Sequence, residues 1–152
     1  MSPRELSKQV IREAPLLASD DTVRTAVTSL LESELPALPV VEGERLVGIF
    51  GEREFLTALF PGYVKELSYA GFVPKALDDA IEKRASCIEE PVSDHMHTEH
   101  VEVGGDFSDV QVAEVFLHHR VLIVPVVRDD RVAGVITRAD FFRGLAERFL
   151  DR

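Results

Sequence analysis

A single cysteine, Cys87, is all the chain has for thiol chemistry. That excludes an intrachain disulfide and fits a reducing compartment. Long apolar runs are missing too: none exceeds seven residues, as in Val121–Val127 with Pro125 inside it, whereas a membrane-spanning helix needs roughly 20. The opening Met-Ser-Pro-Arg-Glu-Leu-Ser-Lys has no apolar stretch of the kind an export signal carries, so a cytoplasmic protein is expected. Positive charge is scarce, with 17 Lys and Arg against 27 Asp and Glu and a formal net charge of −10. Such a field repels a phosphate backbone and argues against nucleic acid as a partner. A small anionic ligand would meet the same field, so its site would have to supply donors and positive charge locally. The chain also lacks a Walker loop, His-Glu-x-x-His and Gly-x-Ser-x-Gly. No catalytic residue is assigned, and no enzymatic activity is expected.

What the chain does have is a duplication. Leu38-Pro39-Val40-Val41, a polar turn and Arg45–Phe50 align without a gap on Val124-Pro125-Val126-Val127, a second polar turn and Arg131–Ile136. The offset is 86 residues for the prolines (125 − 39) and again for the glycines (134 − 48). Each segment reads as a β-hairpin, because short β-branched runs flank the tips Glu42-Gly43-Glu44 and Asp129-Asp130. A helix is predicted before each hairpin. Thr22 caps a run with Val23, Ala26, Val27, Leu30 and Leu31 at i, i+3, i+4 spacing, and Ser108 caps one with Val110, Val112, Ala113, Phe116 and Leu117. Short strands are expected upstream, at Leu16-Leu17 and Val101-Glu102-Val103. A second helix follows each hairpin, with Phe55, Leu56 and Leu59 apolar in one copy and Phe141, Phe142, Leu145 and Phe149 in the other. The expected fold class is α/β, strand-helix-strand-strand-helix twice over.

A unit of this size buries too little surface to be stable alone. The two copies are therefore expected to pack as one module about a pseudo-twofold axis, with a cleft on either side. The expected boundaries are residues 1–59 for the first repeat, 60–91 for a helical insert and 92–152 for the second repeat. In the insert Pro61-Gly62 breaks the preceding helix, and Pro74 starts another with an apolar stripe of Ala76, Leu77, Ala80, Ile81 and Ala85. That helix serves either as a crossover packed on the module or as a surface for a partner.

Chemistry is concentrated at the end of the second hairpin, Gly134-Val135-Ile136-Thr137-Arg138-Ala139-Asp140. A hydroxyl, a carboxylate and free backbone amides converge there at one helix start. The Asp140 carboxylate suits a ribose diol, while Thr137, Arg138 and the amides suit a phosphate. Charge-assisted bonds of roughly 1.5–3 kcal/mol each are enough, a few together, for micromolar binding at about 8 kcal/mol. Thr-x-x-Asp is also a helix capping box, and the two roles are compatible. Further upstream, Asp94–His100 holds three histidines at spacings of two and three, a pattern that matches no closed metal site. On an extended strand His95 and His97 share a face and His100 does not, so no metal site is assigned. His118-His119-Arg120 ends a predicted helix, where positive charge complements the helix dipole.

The order Leu-Pro-Val-Val, polar turn, then Gly, two apolar residues and Thr-x-x-Asp, in two copies, resembles the CBS-domain pair, or Bateman module. Asp94-His95-Met96 resembles the lead-in common in that family. The resemblance implies a regulatory module that binds an adenosine-containing nucleotide (AMP, ADP, ATP or S-adenosylmethionine) and requires no cofactor. It places the ribose on Asp140, with Thr137 and Arg138 near the ribose and phosphate, and encloses the base with Ala14, Leu35, Pro36 and Ala37. The pseudo-equivalent site departs from the pattern, since Gly51 replaces the hydroxyl residue, Glu54 the aspartate, and Glu52 adds a repelling acid. One competent site is therefore expected, and one weak or vacant site lined by Val121, Leu122 and Ile123, with His97 and His100 beside it as further donors. Homodimers formed through the helices are common in the family, so a homodimer is expected, together with an unidentified regulated protein. A module that only dimerises or docks a partner, without a ligand, is the alternative.

Overall fold

The computed structural model describes residues 6–60, 78–79, 82 and 84–151. Pro61-Gly62, Pro74, Ala76, Leu77, Ala80 and Ile81, on which the reading of the insert rests, lie outside the described residues. The first half runs α1 (Leu6–Gln9), β1 (Leu17–Ala18), α2 (Val23–Ser33), β2 (Ala37–Glu42), β3 (Arg45–Gly51) and α3 (Glu52–Leu59). Two 3-10 turns, Ala85–Glu89 and Val92–Asp94, lead into α4 (Asp109–His118), β4 (Ile123–Arg128), β5 (Arg131–Thr137) and α5 (Arg138–Leu150).

Local chemistry accounts for the element ends. The Thr22 hydroxyl accepts from the Thr25 amide at the start of α2, and Ser108 forms a reciprocal capping box with Gln111 at the start of α4. Glu34, at φ 59°, closes α2 in the left-handed conformation. In the second hairpin Asp129 and Asp130 both adopt positive φ, 53° and 61°, the backbone that lets a two-residue turn follow the strand twist.

The two hairpins coincide residue for residue at the offset read from the sequence. Leu38 faces Phe50 as Val124 faces Ile136, and a register shift between Val40 and Val41 recurs between Val126 and Val127. β1 adds to β2 in parallel, whereas in the second copy the corresponding strand shrinks to one parallel bridge from Val103 to Val126.

The halves are bound by direct packing of the two hairpins, with Ile123 and Val135 of the second inside the core of the first, and by an exchange of lead-in segments. Arg12 pairs with Val135 of the second hairpin through backbone bonds of 2.8 and 2.9 Å, and His97 pairs with Ile49 of the first through bonds of 2.8 and 3.0 Å. Glycine makes both approaches possible. A Cβ on Gly134 would sit 2.7 Å from Ile11 Cγ2 and 2.8 Å from the Arg12 carbonyl, and one on Gly48 would sit 2.7 Å from Met96 Sδ. The cores are exchanged in step: Leu6 belongs to the core of the second repeat, and Val92, with Ile88 and Met96 against it, to that of the first. The amides of Leu6 and Ser7 donate to Asp109 at 2.9 and 2.7 Å, fixing α1 on the start of α4. Each repeat thus completes its core with residues from beyond its own hairpin and helices, as a unit too small to stand alone requires.

Helical spacing groups Leu31, Val110, Leu117, Phe142 and Phe149 with the core, but these side chains are 58% to 79% exposed. A sheet of two or three strands covers only the central stripe of each helix, and these residues fall on its rim. No helix among the described residues is long and apolar enough to cross a membrane.

Candidate functional site

Each closing helix begins against the residue that precedes its own hairpin. The Glu52 amide donates to the Pro36 carbonyl at 2.9 Å, and the Arg138 amide donates to the Leu122 carbonyl at 3.0 Å. These two helix starts, one per repeat, present the motif residues to the space between the halves.

At the α5 start, Thr137 is buried and its Oγ1 accepts from the Asp140 amide at 2.9 Å, so the hydroxyl caps the helix. The Asp140 carboxylate pairs with the first lead-in. Its Oδ2 accepts from Arg12 Nη2 at 2.7 Å, across the exchanged lead-in. Thr137, Asp140 and Arg12 therefore form one group. The other residues assigned to this side are dispersed: Ala14 packs against the first core and Leu35 lies within it, Pro36 and Ala37 face the opposite cleft, and Arg138 is exposed beside a further pocket.

A cavity of about 510 Å³ opens at the α3 start. Glu52, Arg53 and Glu54 form one wall, and Pro36, Ala37 and Ile49 of the first hairpin another. The second lead-in supplies His95, Met96 and His97, and the segment ahead of β4 supplies His118 to Ile123. Val121, Leu122 and Ile123 thus share a cavity with Glu54, and Gly51 sits directly behind the wall. His100 lies outside it, with Nε2 at 3.4 Å from Glu102 and Nδ1 buried without a hydrogen-bond partner among the described residues.

Glycine at position 51 has a local cause. A Cβ there would collide with the Pro36 carbonyl oxygen and lie 2.5 Å from Ala37 Cβ, so a threonine cannot occupy the position while Pro36 holds its place. Without a hydroxyl at the cap, the return bond remains: Glu54 Oε1 accepts from the Gly51 amide at 2.9 Å. Burial pushes the Glu54 carboxyl above its ordinary range, against the opposing pull of the Gly51 amide, His97 and Arg53. The charge of His97 favours ionised Glu54 without an ion pair between them among the described residues, whereas Arg12 bonds Asp140 directly at 2.7 Å. The cavity accordingly combines a partly desolvated acceptor, an apolar strip from Val121 to Ile123 and several nitrogen donors.

Two links tie this cavity to the rest of the module. Arg53 Nη1 donates to the Arg120 carbonyl at 3.2 Å, bridging the repeats. His95 Nε2 lies 3.1 Å from Glu90 Oε1, which also holds Arg84 at 3.4 Å. Sequence reasoning missed Arg12 and Arg53, and it read His118-His119-Arg120 only as a helix end. At the repeat offset of 86 His97 falls on Ile11, and the equivalence of Arg12 and His97 appears only in their bridges to Val135 and Ile49. Among the described residues no three of His, Cys, Asp and Glu are grouped closely enough to hold a metal ion.

The CBS domain family matches residues 6–61 and again residues 92–147. The chain belongs to the CBS domain family. It is a tandem CBS pair, and solved pairs share its fold. The CBS-domain protein ATU1752 from Agrobacterium tumefaciens is 20% identical with a TM-score of 0.68, the match covering 92% of this chain and 90% of that one. CBSX2, solved in complex with AMP, is 20% identical with a TM-score of 0.67, covering 96% and 98%. At such identities the likeness is one of fold. Among curated proteins, the A-adding tRNA nucleotidyltransferase of Geobacter sulfurreducens is 26% identical over 146 residues, 91% of this chain. The CBS pair spans only 14% of the length of that enzyme.

Proposed function

We propose that this CBS pair is a non-catalytic sensor of an adenosine-containing nucleotide, bound first in the cleft of Glu54 and Val121–Ile123. The observation that carries the reading is the cavity of about 510 Å³ between the repeats, with an acceptor at a helix start, an apolar strip for a base and nitrogen donors for phosphate. The AMP complex of the similarly folded CBSX2 supports the ligand class. The Thr137 and Asp140 side is a second position, where a ribose must compete with Arg12 for the carboxylate. A ligand touching α3 on one repeat and the β4 lead-in on the other cross-links the halves, and its differential affinity for their arrangements is the signal.

Thermal shift tests this directly. A ligand at a hundredfold excess over Kd stabilises the folded state by about 2.7 kcal/mol, which for a chain of this size raises Tm by roughly 5–10 °C. The shift is expected with adenine nucleotides, is lost in Glu54→Ala and survives in Asp140→Asn. No shift with adenosine, AMP, ADP, ATP or S-adenosylmethionine at millimolar concentration contradicts the reading.

Self-association through the helices is part of the same proposal. Two pairs of exposed apolar residues, Leu31 with Leu117 and Leu56 with Phe142, recur at the offset of the repeat and are 54% to 79% exposed. These four leave apolar side chains exposed on α2, α3, α4 and α5, surface that a second copy would cover. Sedimentation of the wild type as a dimer, and of Leu117→Glu with Phe142→Glu as a monomer, is the expected outcome.

A further inference from the structure

Beside the Glu54 cavity, and sharing Arg53, His118, His119, Arg120 and Leu122 with it, lies a second pocket of about 470 Å³ to which Arg138 contributes. Its lining holds three arginines and two histidines and not one carboxylate. The chain as a whole carries 27 acids against 17 Lys and Arg, so an acid-free basic pocket runs against its composition. Among the described residues no carboxylate makes an ion pair with Arg53, Arg120 or Arg138. The three cations come from different places: the first turn of α3, the segment before β4 and the first residue of α5. Arg53 is drawn to Glu54 on the side of the first cavity, but on this side three guanidiniums line one pocket with no carboxylate in its wall, and an anion that accepts from several of them relieves their mutual repulsion.

From this we infer that the preferred ligand is a nucleotide with a polyphosphate tail, a nucleoside di- or triphosphate, whose tail runs from the Glu54 cavity into the pocket of Arg53, Arg120 and Arg138. The inference rests on the nucleotide reading above and adds a direction and a length to it. The acids Glu52, Glu54 and Glu99 line only the first cavity, so the ligand's uncharged end belongs there and its charge belongs beyond Arg53. A monophosphate would reach the near edge of the basic pocket and leave Arg138 unused.

Calorimetric titration of the full chain with adenosine, AMP, ADP, ATP and inorganic tripolyphosphate, at fixed ionic strength, tests the inference. ATP is expected to bind at least tenfold more tightly than AMP. In Arg138→Gln, which changes a residue of the second pocket alone, that ratio falls to about two, while AMP affinity changes less than threefold. Arg143→Gln, which removes an exposed charge on α5 outside both cavities, leaves the ratio unchanged. Circular dichroism melting confirms that the Arg138→Gln variant is folded. Equal affinities for AMP and ATP in the wild type overturn the inference and leave the nucleotide reading standing. Binding of tripolyphosphate without any nucleotide overturns the nucleotide reading and upholds the basic pocket. Binding of none of the five overturns both.

Discussion

Gly134→Ala probes the exchange of lead-in segments at its tightest point. The added Cβ would lie 2.8 Å from the Arg12 carbonyl and 2.7 Å from Ile11 Cγ2, and the first of these is backbone that no rotamer change can move. The segment must retreat, weakening the two bonds between Arg12 and Val135 at 2.8 and 2.9 Å. Each such bond contributes about 0.5–1.5 kcal/mol, and overpacking adds about 1–3 kcal/mol. The pair between Arg12 and Asp140, with side chains 45% and 22% exposed, adds little, about 0–1 kcal/mol. Because the bonds are weakened rather than all lost, the expected loss lies in the lower part of the roughly 2–7 kcal/mol these terms span, about 2–4 kcal/mol, seen as a fall in Tm of roughly 5–15 °C for a chain of this length. Gly104→Ala is the control, because a Cβ there meets nothing within 4 Å, and its effect should stay within about 0.5 kcal/mol. Urea unfolding followed by circular dichroism reads both variants. If Gly134→Ala melts with Gly104→Ala and the wild type, the lead-in does not lie against the second hairpin and the exchanged architecture is wrong.

Two carboxyls make opposite predictions for pH. Glu54 titrates above its ordinary value of 4.5 through burial, so the folded state holds its proton more tightly and stability falls as pH rises from about 4.5 through the folded value. Glu54→Gln removes that loss. The variant should melt above the wild type at pH 7, with the gap closing below pH 4. Burial also opposes ionisation of Asp109, but bonds from the Ser7 hydroxyl and the Ser7 and Leu6 amides, with Arg148 nearby, outweigh it and hold this carboxyl below 3.8. Its stabilisation is present above about pH 3.8 and is lost as pH falls through the lower folded value. Asp109→Asn should therefore melt below the wild type at pH 7, and the two should converge in acid. Melting curves of both variants from pH 3 to 8 check the signs.

The hairpins were legible because their constraints are local. Pro39 and Pro125 mark the outgoing strands, Gly48 and Gly134 the returning ones, and the polar tips between them allow only a turn. The exchange of lead-ins was not legible, since Arg12 and His97 pair through backbone atoms that leave no side-chain pattern. Only the two glycines record the close approach, and in a strand a glycine also serves a bend or a bulge. The candidate site shows the same division. Thr-x-x-Asp and its variant Gly-x-x-Glu could be read as two helix starts, but not the surroundings of their acids. Those depend on Arg12 reaching Asp140 from 128 residues away, and on Pro36 excluding a side chain at Gly51. His118-His119-Arg120 looks like a helix end because it is one. Its second place, on the wall facing Arg53, follows from how the repeats pack rather than from any motif.

Amide chemical-shift mapping during an ATP titration of the isotope-labelled chain puts the central claim to its most direct test. The account predicts that the largest changes fall on residues 51–54, 95–97 and 118–123 and are complete with the first ligand bound per chain. Changes clustered instead on residues 12–14 and 137–141, or spectra that do not move at millimolar ATP, would contradict it.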